Sequence, residues 1–134
     1  MADYQAFARS NYFAVKDPEA FKKFVEGCGA TLLTKTHRNF TTYGFYADGI
    51  PDLEDPDVVN DVDYESVASF MAELSNYLAE DWVAVVIEIG HEAVHYAIGL
   101  AVAVNSEGEV LYLSLDDIFD KACNLGEHIT YAEY

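Results

Sequence analysis

The chain is predicted to be one α+β domain over residues 1–134, an antiparallel or mixed sheet with three helices in the order βαββαβββα. Three observations lead there. Several short stretches alternate apolar and polar with period two, and three others repeat their apolar residues with the helical period. The strand stretches come in hairpin-like runs on both sides of helices, the pattern of an α+β sheet with helices packed on it. Finally, 134 residues of which 51% are hydrophobic and 14% aromatic are enough for one core, and far too apolar for a disordered acidic tail.

The elements follow in order. Ser10–Val15 is aromatic and β-branched, predicting a strand that ends at Asp17-Pro18, an N-cap and first-turn pair. In the helix that follows, Phe21, Phe24, Val25 and Cys28 recur at i, i+3, i+4 and i+7, and Gly27 and Gly29 supply the stop. Ala30–Thr36 and Phe40–Ala47 predict a hairpin turning near Arg38-Asn39. Asp48–Asp63, with Gly49, Pro51 and Pro56, predicts a long exposed loop, a feature usually functional or disordered. Asp63 is the expected cap of a second helix, whose stripe is Val67, Phe70, Met71, Leu74, Tyr77 and Leu78. Trp82–Ile89 reads as a largely buried strand. In the next strand Tyr96, Ile98, Leu100, Val102 and Val104 point one way. Ala97, Gly99, Ala101 and Ala103 point the other, a small-residue face suited to a closely packed helix. Asn105–Gly108 is a turn and Glu109–Leu113 the last strand. Ser114 then caps a third helix through Leu115, Ile118, Phe119, Ala122 and Cys123 that stops at Gly126. Cys28 and Cys123, both on apolar stripes, are expected to be buried free thiols.

Charge is the strongest compositional feature. There are 24 Asp and Glu against 7 Lys and Arg, a net of −17. Residues 1–47 hold six cations and four acids, whereas 48–134 hold 20 acids and only Lys121. From 48 to 92 there are 13 acids and neither Lys nor Arg. Such a chain repels nucleic acid instead of binding it. Glu88, His91, Glu92 and His95 interrupt the one long apolar stretch, so no membrane span is predicted. The N-terminus lacks the basic region and apolar run of a secretory signal, and a cytoplasmic address is expected.

Three readings fit the acidity: a solvated face, salt adaptation, or a surface that imitates the phosphate backbone of nucleic acid. Salt adaptation would spread acids everywhere and thin out large apolar side chains, which this chain does not do. The imitation reading assigns the partner-binding role to Asp52, Glu54, Asp55, Asp57, Asp61 and Asp63 in the loop. To these it adds Glu65, Glu73 and Glu80, which at 100° per residue fall on one outer ridge of the second helix.

Other chemistry is weaker. His91-Glu92-Ala93-Val94-His95 matches H-E-x-x-H, which needs both imidazoles on one helical face around a zinc ion. The β-branched run before it and the alternation after it predict two strands joined around Gly90–Val94 instead, so neither metal nor catalytic residues are expected. Asp61, Asp63 and Glu65 stand at alternate positions as in a calcium loop, but Ser66 replaces the glycine and Ala72 the twelfth-position acid. No nucleophile elbow, glycine-rich phosphate loop or cysteine metal pair is present.

The segments Ser10–Asp17 (SNYFAVKD), Val104–Glu109 (VNSEGE) and Ser114–Ile118 (SLDDI) resemble a family of small acidic proteins carried by phages and other mobile elements. The resemblance implies a host-defence antagonist of the anti-CRISPR or antirestriction kind, and it transfers no functional residue. With the charge reading it yields the expectation of a non-enzymatic inhibitor that needs no cofactor. Its partner would be a basic nucleic-acid-binding protein or complex of the host, with no direct nucleic-acid or membrane contact. A homodimer, if formed, is expected to use apolar surface. The alternatives are a non-catalytic protein-binding module and, behind it, a zinc hydrolase using His91, Glu92 and His95.

Overall fold

The computed structural model describes residues 4–51, 64–92, 96–128 and 130. The elements are β1 (Tyr4–Ser10), α1 (Pro18–Gly27), β2 (Thr31–Thr36), β3 (Thr41–Ala47), α2 (Tyr64–Ser75), β4 (Val83–Glu92), β5 (Tyr96–Asn105), β6 (Val110–Ser114) and α3 (Asp117–Ala122). This is the predicted order, and the fold is α+β. The strands form one sheet in the order β2-β3-β1-β4-β5-β6, with every neighbouring pair antiparallel.

Helices α1 and α2 cover one face of this sheet. Asp17 caps α1 as expected, its carboxylate accepting from the backbone N–H groups of Glu19 and Ala20. On α2, Val67, Phe70, Met71 and Leu74 are buried at helical spacing. They meet Ala84, Val86, Leu100, Val102 and Val104 of the sheet in one core. Phe24 of α1 stacks on Phe70 of α2 at 5.7 Å and on Tyr77 just beyond α2 at 4.7 Å, and Phe13, ahead of α1, meets Phe21 edge-on at 5.5 Å. These are the separations at which ring pairs add to plain area burial.

Four sequence expectations are corrected. The first strand is Tyr4–Ser10, not Ser10–Val15. Tyr4–Ser10 pairs with Glu92–Val86 in unbroken register, while residues 11–15 keep only the isolated bridges Phe13–Tyr43 and Val15–Leu78. Asn11 leaves the ladder and uses its side chain to hold Val83 O at 3.0 Å and Val85 N at 2.8 Å. The aromatic character of this stretch reflects burial of Phe13, not strand pairing.

Secondly, α2 ends at Ser75. The next N–H groups turn back by three residues, Tyr77 to Leu74 O and Leu78 to Ser75 O, and the chain is drawn off by Lys16 N–Tyr77 O and Ala79 N–Ala14 O bonds. A long-range pairing overrides the helical stripe.

Thirdly, α3 stops at Ala122 and buries none of its residues. Ser114 does not cap it by accepting from its first turn; instead Asp117 Oδ2 accepts from Ser114 N at 2.9 Å and Ser114 Oγ from Asp116 N. Cys123 is accordingly exposed and Cys28 only half-buried. Fourthly, α2 packs on the large-residue face of β5, and the small-residue face meets at Gly99 the side chain of Leu115, just before α3.

Candidate functional site

The acidic segment begins where β3 leaves the sheet and ends where α2 begins. Its near root is held firmly. Glu88, half-buried on β4, accepts from the backbone N–H of Ile50 at 2.9 Å, and Pro51 is buried. At the far root, Val67 is in the core. Ile50–Pro51 and α2 thus flank the acidic segment. Asp52, Glu54, Asp55, Asp57, Asp61 and Asp63 lie outside the described residues, as do the expected Asp63 cap and the calcium-like spacing.

Glu65 belongs to α2, and Glu73 is exposed on it. Glu80 lies beyond the helix end, in a turn whose next residue, Asp81, has φ of 71°. The predicted three-carboxylate ridge is thus corrected: Glu80 is not on the helix, because α2 unwinds at Ser75. Glu73 acts on Cys28, the C-cap residue of α1. Burial first, and then the Glu73 charge, push the Cys28 thiol above its usual range.

His91 and Glu92 close strand β4, opposite Ala97 and Tyr96; His95 is outside the described residues. His91 and Glu92 are thus on a strand, not on the helix that the zinc motif requires. Gly90, expected to break the strand, pairs with Ile98 and Ala6 inside it. Among the described residues no three His, Cys, Asp or Glu side chains gather as a metal site.

Sequence reasoning missed the second face of the sheet. Phe7 on β1, Ile87 and Ile89 on β4, and Leu111 and Leu113 on β6 all stand exposed on it. Phe7 stacks on Tyr46 at 6.2 Å. A groove of about 350 Å³ runs between Phe7, Arg9, Asn11, Val85, Ile87 and Ile89. At one end, Arg9 and Lys35 flank the Tyr12 ring at 5.9 and 5.8 Å. No described strand position on this face holds Asp or Glu. The signal was present in β4, where Val83, Val85, Ile87 and Ile89 are as apolar as the inward positions, and three helices were too few to cover both sides.

The segments that carry the resemblance fall on structural devices. Ser10–Asp17 is the crossing and cap before α1. Val104–Glu109 is the β5–β6 turn, where Asn105 Oδ1 accepts from Glu107 N and Glu109 N and Gly108 has φ of 88°. Ser114–Ile118 leads into α3. The chain matches no family model, no curated protein and no solved structure.

Proposed function

We propose that the protein is an acidic inhibitor of a host-defence nucleic-acid-binding complex, of the anti-CRISPR or antirestriction kind, acting in the host cytoplasm as a nucleic-acid mimic and without catalysis. The observation that carries this reading is the run from 48 to 92, with 13 acids and no Lys or Arg. Two features support it. The run is flanked by Ile50, held to β4 by its bond to Glu88, and by α2, whose Val67 is in the core. The described strand positions of the opposite sheet face hold no Asp or Glu.

A basic groove built for phosphates, spaced one charge per ~1.7 Å of duplex axis, would pair its Lys and Arg with Asp52, Glu54, Asp55, Asp57, Asp61 and Asp63. Glu65, Glu73 and Glu80 would extend the contact from α2 and the turn after it. The exposed apolar sheet face favours a second reading, a non-catalytic protein-binding module with a basic target unrelated to nucleic acid.

Charge reversal tests the proposal. Asp55→Lys with Asp57→Lys should leave the thermal midpoint unchanged or raised, because surface charge terms amount to about 0.5 kcal/mol or less each. It should nevertheless weaken partner binding by about 2 kcal/mol or more, the cost of an unpaired charge at a desolvated contact. Glu107→Lys with Glu109→Lys, at the far turn, should matter much less. Equal inhibition by both double variants and the parent would make the acidic run a solvated face only.

A further inference from the structure

The exposed face of the sheet has the shape and composition of an interface with itself. On β5 the positions facing that way are Ala97, Gly99, Ala101 and Ala103, and their cross-strand partners are His91, Ile89, Ile87 and Val85 on one side. On the other side Ala101 and Ala103 pair with Leu113 and Leu111. Two ridges of Ile, Val and Leu therefore border a trough at Ala101 and Ala103, which the side chain of Leu115 closes at Gly99. Strands spaced 4.7–4.9 Å apart put those ridges roughly 10 Å from each other, wide enough to receive one row of aliphatic side chains. A ridge and a matching trough side by side on one surface are what a two-fold, self-complementary contact requires. We infer that a second copy of this chain covers the face, in a two-fold dimer that stacks the two sheets with the β4 ridge of each copy in the β5 trough of the other.

The area suffices. Phe7, Ile87, Ile89, Leu111, Leu113 and Leu115 are 46%, 52%, 56%, 75%, 54% and 62% exposed. At about 200 Å² per large apolar residue, they present roughly 700 Å². That exceeds the largest apolar patch of an ordinary monomer, about 300–600 Å², and approaches the ~800 Å² per partner of a stable interface. The charge pattern selects a like partner. In a chain of net −17, the described strand positions of this face hold no carboxylate, so two copies can meet here without opposing Asp or Glu across the contact. The remaining repulsion is long-range and is screened by salt, whereas apolar contact is not. The dimer should therefore hold or tighten as salt rises, the opposite of an association between the basic first third and the acidic run.

Sedimentation velocity on the full chain, from 1 to 100 μM at low and high salt, tests this without any host partner, so its result is independent of the proposed inhibition. The expected result is a species of twice the chain mass that persists at high salt. Ile87→Lys and, separately, Ala101→Gln should each raise the dissociation constant at least 100-fold. Thr34→Lys, on the opposite face of edge strand β2, should not change it. Because Ile87 is already exposed, Ile87→Lys should keep its far-ultraviolet spectrum and thermal transition. A parent that remains monomeric at 100 μM, a dimer that dissolves in salt, or a dimer indifferent to both substitutions would overturn the inference.

Discussion

Glu88 is the point at which the fold and the acidic run meet. Its Oε1 accepts from Ile50 N at 2.9 Å, and a Cβ built on Gly49 would lie 2.9 Å from the same oxygen, so the chain is pressed against this carboxylate as it leaves the sheet. Glu88→Ala removes the acceptor and strands a part-buried N–H, a loss of about 1–3 kcal/mol. Water can reach a half-buried site, which places the cost near the lower end, about 1.5 kcal/mol. For a chain of this size that lowers the thermal midpoint by about 4–6 °C. Glu88→Gln removes the same negative charge but keeps a carbonyl acceptor, so it should lose less than half as much. Comparing the two variants therefore separates the hydrogen bond from relief of charge repulsion. The assay is thermal unfolding by circular dichroism together with amide exchange at Ile50, whose protection should fall in the Ala variant and persist in the Gln variant. Equal midpoints, or unchanged protection at Ile50, would refute the anchoring argument.

Two further outcomes follow from packing and titration. A methyl group at Gly44 would meet Asn11 O at 2.6 Å and Ser10 Oγ at 2.8 Å, and that hydroxyl also accepts from Phe45 N at 2.9 Å. Gly44→Ala should therefore cost about 1–3 kcal/mol by overpacking, and an unchanged thermal midpoint would contradict it. Burial, reinforced by Glu73, raises the Cys28 pKa, so at pH 8 iodoacetamide should alkylate exposed Cys123 well before Cys28, and Glu73→Gln should speed the slower reaction. The folded chain keeps a proton that the unfolded chain releases. This contribution to stability is present below the ordinary thiol range and is lost as pH rises from there through the raised value of the folded chain, a loss that Cys28→Ser should abolish. Equal alkylation rates would remove the basis of both statements.

Where the sequence was legible, local and tertiary signals agreed. Helix α1 has its Asp17-Pro18 start and its i, i+3, i+4, i+7 stripe, and both survive because Phe21 and Val25 point at the core. The turn at Asn105–Gly108 is written in its own side chain and glycine. Elsewhere the two signals parted. Strand β1 places Ala6 and Ala8 toward the helices and Phe7 and Arg9 outward, the reverse of the usual alternation, so the buried Phe13 segment beside it looked more strand-like. The stripe of α2 ran on to Leu78 because Leu78 is fully buried, but it is buried through its bridge to Val15, not through a helical turn. The acidic run was obvious as charge because charge needs no geometry to be counted. The open apolar face was hidden for the complementary reason, since a strand apolar on both sides reads as buried whether or not anything covers it.

The central claim is that the acidic run occupies a nucleic-acid site. It is tested most directly by capturing the partner from host extract on immobilised protein, then challenging the captured complex with excess duplex DNA or RNA. A basic nucleic-acid-binding complex should be retained at low salt and released by the nucleic acid, the two competing for one groove. Nucleic acid and this protein bound together on the same complex, each at full affinity, would contradict it.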